Sequence, residues 1–162
     1  MSRPVRIEET DTGESVYCLT SHRRTLTETD IVNFVNLVGL HEPPFIDMEW
    51  VDRMPGIHNK RFAPAPLLIS LGMGLVSTSI MAVLDAVNER EGLGAFHGMV
   101  GVEAAVKRPA FPGDTLWVEL AARVDRKTKR GQTLVALQHH LKNQRDEIVV
   151  DFTERIIFDP AQ

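Results

Sequence analysis

A chain of 162 residues with 43% apolar and 25% charged side chains is sized for one domain, residues 1–162, with a sizeable core. Its net charge of −4 and the absence of any Lys/Arg run longer than two exclude the dense cationic stripe that a nucleic-acid surface needs. The single cysteine, Cys18, excludes an internal disulfide and a thiolate metal cluster.

The amino-terminal stretch through Ser15 is polar and carries no signal-like apolar run, so the expected compartment is the cytoplasm. Ser15 to Arg24 reads as a first strand. Thr27 then opens a helix, with Asp30 three residues on in the manner of a capping box. Ile31, Phe34, Val35 and Val38 recur at helical spacing, and Gly39 is placed to end the helix. The following Leu40 to Phe45 contains two prolines and cannot stay helical. Asp47 to Arg53 predicts one or two helical turns, with Asp47 as the plainest N-cap.

Pro64 to about Glu89 predicts the longest helix, apolar nearly all round and therefore buried on most sides. Pro66 suits its first turn. Gly72 and Gly74 cost helix propensity, which points to close approach by another element. The uncharged run Phe62 to Leu84 has the length to span a bilayer, but Ser70, Ser77, Thr78 and Ser79 favour a buried core helix and no membrane.

After Gly94 the apolar period falls to about two. Ala95 to Lys107 predicts a strand, and Pro109 to Asp114 a loop. Leu116 to Val124, Thr133 to Leu141 and Ile148 to Phe158 predict three more strands joined by short polar turns, hence antiparallel neighbours. An α+β architecture, in which one antiparallel sheet wraps a single central helix, satisfies every element. The sheet's far edge stays open, so a homodimer is the expected state.

Two stretches carry a family resemblance. Pro64-Ala65-Pro66-Leu67-Leu68-Ile69-Ser70-Leu71-Gly72-Met73-Gly74-Leu75 resembles the start of the central helix in MaoC-like hydratases. Pro109-Ala110-Phe111-Pro112-Gly113-Asp114-Thr115-Leu116 is similar to that family's Pro-Gly-Asp-Thr-Leu loop, and the order of elements from Thr25 to Phe158 agrees. The resemblance implies a hotdog fold and the addition or removal of water at an enoyl-CoA double bond. Coenzyme A then arrives as the substrate's thioester, and no separate cofactor is implied.

The family's catalytic loop, Gly-Asp-x-Asn-Pro-Leu/Ile-His, corresponds to Gly39-Leu40-His41-Glu42-Pro43-Pro44-Phe45. The resemblance therefore puts Leu40 where the family has its catalytic Asp and Phe45 where it has its His, and neither can move a proton. His41, Glu42 and Asp47 are the titratable residues left nearby. A dyad of Glu42 with His41 could activate water, or Glu42 could act alone; a solvated loop is the plainer reading of both.

By the same resemblance Ala65 supplies the backbone N–H that polarises the thioester carbonyl, assisted by the helix dipole. Leu40 and Phe45 are expected to line the acyl site. His97 could face it, although a satisfied core or interface histidine is the plainer reading, and Lys107 with Arg108 could meet the CoA phosphates or form a solvated edge. Gly92-x-Gly94 precedes a strand and reads as a turn. His139 and His140 fall on opposite strand faces and cannot share a metal. Two other activities stay open: a non-catalytic subunit that binds acyl chains or pairs with an active hotdog partner, and an acyl-CoA thioesterase using Glu42 and Ala65.

Overall fold

The computed structural model describes residues 4–55 and 60–160. One seven-stranded antiparallel sheet carries the fold. It comprises β1 (Arg6–Glu9), β2 (Ser15–Thr20), β3 (Arg24–Thr25), β4 (Phe96–Val106), β5 (Thr115–Lys127), β6 (Thr133–Lys142) and β7 (Ile148–Phe158). Strand order is β1-β2-β5-β6-β7-β4, with β3 pairing β5 to one side. The meander expected from the alternating carboxy-terminal half is present with full registers.

The first strand departs from expectation. It stops at Thr20: the Ser21 N–H still donates to the Val118 carbonyl at 2.9 Å, but its Oγ accepts the Val118 N–H at 2.8 Å and donates to the His22 carbonyl at 2.7 Å. The chain rejoins the sheet only as β3. The polar β1, which has no apolar pattern to betray it, forms because the Gly13 turn folds it back on β2.

Helix α1 (Glu28–Val38) has the full capping box: the Asp30 N–H donates to Thr27 Oγ1 at 3.2 Å and the Thr27 N–H to Asp30 Oδ2 at 2.8 Å. Arg24 also pairs with Asp30. Gly39 closes the helix in the left-handed region at φ 71°. The two prolines then open a new short helix, α2 (Pro43–Ile46), at its first positions, where a missing N–H costs nothing, contrary to the non-helical loop expected. Helix α3 (Met48–Asp52) follows.

The expected single central rod is instead two helices, α4 (Ala65–Val76) and α5 (Ile80–Glu91), bent by 68°. Ser77 causes the break. Its N–H and Oγ both donate to the Gly74 carbonyl, at 3.3 and 2.8 Å, and this tight i→i−3 bonding ends α4. No single helix among the described residues is long and apolar enough to cross a membrane.

Helix α4 crosses β5, β6 and β7, while α5 packs on β2 and β5. Leu67, Leu68, Leu75 and Val76 are buried against Val118, Leu120, Val135, Leu137, Leu141, Val150 and Phe152. Gly72 makes the approach possible, since a Cβ there would meet Phe152 Cε1 at 2.7 Å. Gly74 has no such neighbour, so only one of the two helix glycines is explained by packing. Gly72→Ala should cost about 1–3 kcal/mol in chemical denaturation through overpacking. Combination with Phe152→Leu should recover part of that loss, a coupling absent if the glycine were neutral.

Strand β4 stands apart. It forms one edge of the sheet and is exposed along nearly its whole length. Phe96, Met99, Val102 and Val106 pair with Phe158, Ile156, Glu154 and Val150 of β7, which turns them to the face that carries α4. All four are more than a third exposed.

Candidate functional site

The site expected from the sequence lies where α4 begins. Phe45 meets Phe62 edge-on, with ring centroids 5.4 Å apart, and this brings the loop after α1 beside the segment leading into α4. Ala63 donates its N–H to the Ala110 carbonyl at 2.8 Å, which ties the same segment to the Pro109–Gly113 loop. Three separate stretches of chain therefore meet at the segment that leads into α4.

The loop is shaped by its backbone. The Leu40 N–H donates to the Val35 carbonyl at 3.0 Å and the Phe45 N–H to the Glu42 carbonyl at 3.0 Å. Leu40 and Phe45 are half-buried, while His41 and Glu42 are exposed. Glu42 is the residue before α2, but its side chain makes no capping bond, so the carboxylate is not committed there. Asp47 is committed: its Oδ1 accepts from the Trp50 N–H at 3.0 Å as the N-cap of α3.

Ala65 is the first residue of α4, and among the described residues its N–H meets no protein acceptor. The first intrahelical donor is Leu68, which bonds the Pro64 carbonyl at 3.2 Å. Pro66 has no N–H to offer. A free peptide donor at the positive end of α4 can polarise a carbonyl oxygen.

The Pro109–Thr115 loop owes its form to Asp114, which sequence reasoning left without a task. Asp114 Oδ2 accepts from the Phe111 N–H at 2.9 Å and Oδ1 from Gln144 Nε2 at 2.9 Å. Gln144 Oε1 in turn accepts from the Thr115 N–H at 3.0 Å. This carboxylate holds a turn and is unavailable for proton transfer.

Two cavities flank the loop and share Lys60 and Pro112. One of about 330 Å³ is lined also by Glu28, Met48 and Arg61. The other, of about 570 Å³, is lined also by Arg108, Phe111, Gln144, Arg145 and Glu147. Of the cations expected at the CoA phosphates, Arg108 is on this wall and Lys107 is not. Lys60, Arg61 and Arg145 were missed. The adjacent pair Lys60-Arg61 directly before the helix was the only available signal.

Arg61 is largely buried, with Nη1 at 3.0 Å from Glu28 Oε1 and a buried Nε without a partner. Glu147 lies 3.7 Å from Arg108 and 2.8 Å from Arg145. Hydrogen bonding from Asn143, then from Arg145, holds the Glu147 carboxyl below the usual range.

His97 does not turn toward this site. It is half-exposed, and its Nε2 pairs with Asp159 Oδ2 at 2.7 Å, close to where the last strand leaves the sheet. A bulge lies between Phe96 and Gly98 at this point, and the pairing makes His97 a satisfied histidine, the plainer of the two sequence readings, instead of an acyl-site residue.

No family profile matches the chain. The curated Protein MaoC of Klebsiella aerogenes is 34% identical over 126 residues, which is 77% of this chain and 32% of that protein. The chain thus spans about a third of the length of that relative. The structure of a protein described as the monoamine oxidase regulatory protein from Archaeoglobus fulgius superposes with a TM-score of 0.66 at 26% identity, over 90% of each chain. A MaoC-like dehydratase from Rhodospirillum rubrum gives 0.65 at 22% identity, over 90% of this chain and 92% of that one. The HadBC (3R-hydroxyacyl-ACP dehydratase) complex from Mycobacterium tuberculosis gives 0.60 at 16% identity, over 86% and 95%, and shares the fold.

Proposed function

Because the chain belongs to the MaoC-like hotdog family, we propose that it binds an acyl-CoA thioester and adds water to, or removes it from, the acyl group. The observation that carries this reading is the unpaired Ala65 N–H at the start of α4, two residues after Ala63, which is tied to Ala110 of the loop that walls a cavity with Lys60, Arg108 and Arg145. The thioester carbonyl accepts from Ala65. The CoA phosphates meet the cations, displacing Glu147 from Arg108 and Arg145. Leu40 and Phe45 supply apolar walls.

With those two positions inert, Glu42 is the carboxylate of the same loop that no capping bond commits, and His41 stands next to it in the chain. In the hydration direction Glu42 takes the proton of a water whose oxygen bonds to C3 of the enoyl group. The electron pair of the double bond moves to C2, which takes a proton from His41. Loss of absorbance from crotonyl-CoA and longer enoyl-CoAs tests the reading, with thiol release followed in parallel to separate hydration from thioester hydrolysis. Glu42→Gln should lower kcat by about 10²–10⁴ if the carboxylate transfers the proton. Absence of turnover with every chain length, in a mixture where a known hydratase works, would refute it.

Leu40 and Phe45 favour one second reading, a chain that binds acyl groups but leaves the chemistry to another hotdog subunit. Co-purification with a chain that carries both the Asp and the His of the family loop would support it.

Strand β4 supports assembly. Its free edge and its row of Phe96, Met99, Val102 and Val106 suit a second copy of this chain lying edge to edge. Sedimentation should give twice the mass of one chain, 18.1 kDa. The double variant Met99→Glu, Val102→Glu should sediment as a monomer; an unchanged mass would place the interface elsewhere.

A further inference from the structure

The smaller of the two cavities beside the Pro109–Gly113 loop differs in character from the larger. Its volume of about 330 Å³ falls within the range of about 300–1,000 Å³ usual for small-molecule sites. Met48, 38% exposed, and Pro112 give it apolar surface. Glu28 and Arg61 give it one polar pair, with Arg61 Nη1 3.0 Å from Glu28 Oε1. That contact uses one carboxylate oxygen and one guanidinium nitrogen. Glu28 Oε2 and Arg61 Nη2 make no hydrogen bond among the described residues, so an acceptor and a donor stand side by side. The Glu28 side chain is 52% exposed, and a ligand in the cavity can reach it.

Each wall is set by local structure. Glu28 is the first residue of α1, behind the Thr27–Asp30 capping box. Met48 is the first residue of α3, behind its Asp47 cap. Pro112 stands in the turn that Asp114 closes on the Phe111 N–H. Arg61 comes two residues before Ala63, which is tied to Ala110. A site assembled before its ligand arrives costs little to order on binding.

An anionic group is disfavoured here, because it would face the Glu28 carboxylate. A neutral, flat heterocycle with a donor beside an acceptor fits better. Adenine has such an edge, its N6 amine next to a ring-nitrogen acceptor. The amine donates to Glu28 Oε2, the ring nitrogen accepts from Arg61, and the ring lies against Met48 and Pro112. The shared Lys60 and Pro112 join this cavity to the larger one, where Lys60, Arg108 and Arg145 suit phosphates. CoA carries its parts in that order: base, phosphates, pantetheine arm. Ala65 is four residues beyond Arg61, at most about 14 Å of chain at 3.3–3.6 Å per residue, which the extended arm can bridge.

We propose that this cavity seats the adenine of the CoA thioester, with Glu28 reading the exocyclic amine and Arg61 holding Glu28 in place. This rests on the acyl-CoA reading above and deepens it. The chain takes its thioester on free CoA, since the phosphopantetheine arm of a carrier protein brings no base to the cavity.

The test is calorimetric binding of CoA and of etheno-CoA, which keeps the phosphates and the arm but whose base has no N–H left. The intact protein should bind CoA roughly tenfold more tightly or better, the worth of one hydrogen bond to a charged group. Glu28→Leu should abolish the difference, and Glu28→Gln should keep most of it, because the amide oxygen still accepts. Met48→Ala, at an exposed position, should weaken CoA several-fold and leave phosphopantetheine unaffected, which covers the case that the leucine variant does not fold. Equal binding of the two nucleotides by the intact protein overturns the adenine seat and leaves the acyl-CoA reading standing. A difference that survives Glu28→Leu, or an unchanged CoA affinity in Met48→Ala, does the same. Binding of neither nucleotide overturns both readings.

Discussion

Replacing Ala65 with proline should reduce kcat/KM for an enoyl-CoA by about 10²–10³, equivalent to roughly 2.7–4 kcal/mol of lost transition-state stabilisation, with little change in folding stability. The substitution removes one atom group, the N–H. Position 65 opens α4, where proline's fixed φ is already suited. The preceding Pro64 sits at φ −59° and ψ 143°, in the extended region that a following proline requires. No protein acceptor loses a bond, since the N–H has none. Charge on the thioester oxygen grows as water adds, so the missing donor should show in kcat more than in substrate affinity. Chemical denaturation of the same variant checks that the fold is retained. A variant as fast as the parent would show that the start of α4 is an ordinary helix end.

The second large effect is on stability against pH. Burial, ahead of any other influence, lowers the His139 pKa from 6.5 to about 4. The unfolded chain then binds a proton on His139 between these values while the folded chain does not. Its contribution is fully present above pH 6.5 and is lost as pH falls toward 4. At 1.36 kcal/mol per pKa unit, the loss across that window is on the order of 3 kcal/mol. Glu154 has the opposite sign, because burial raises its pKa. Its favourable part is present at low pH and disappears as pH rises through the folded value. Being partly exposed, it should offset only some of the His139 slope. Urea unfolding between pH 4 and 7 should therefore show the parent losing stability toward acid. His139→Phe should flatten that limb while keeping the ring stacked on Phe152. A variant with the parent's slope would assign acid sensitivity to other groups.

Much of the fold was legible in the residues because it depends on local period. The alternation through Leu116–Val124, Thr133–Leu141 and Ile148–Phe158 gave strands within a few residues of β5, β6 and β7. Thr27, Asp30 and Gly39 marked both ends of α1, since caps are satisfied by neighbours three or four residues away. Asp47 was read as a cap for the same reason and is one. The bend at Ser77 was missed, because a hydroxyl's choice between solvent and the Gly74 carbonyl leaves no mark in hydropathy.

The candidate site was legible in part. Ala65 was reached through the family resemblance and Arg108 from its place beside the Pro109 loop. Lys60 and Arg145, by contrast, meet at one cavity only because the segment before α4 and the turn between β6 and β7 come together at that loop. His97 was offered as an acyl-site residue or a satisfied histidine, and only the folded chain shows its partner, Asp159.

Taken alone, the order of residues determined α1, α3 and the antiparallel meander, but not β1, the short helix α2 within the proline-containing loop or the break at Ser77. These follow from periodicity and caps, all within a few residues of one another, whereas Leu40 and Phe45 gain meaning only through the family resemblance. Only the folded chain decided that β4 lies bare at the edge, and that Gly72 rests on Phe152. It also decided that His139 and Glu154, fifteen residues apart on neighbouring strands, face each other beneath α4. Those facts depend on strand register and on which elements cover one another, and no local pattern encodes either.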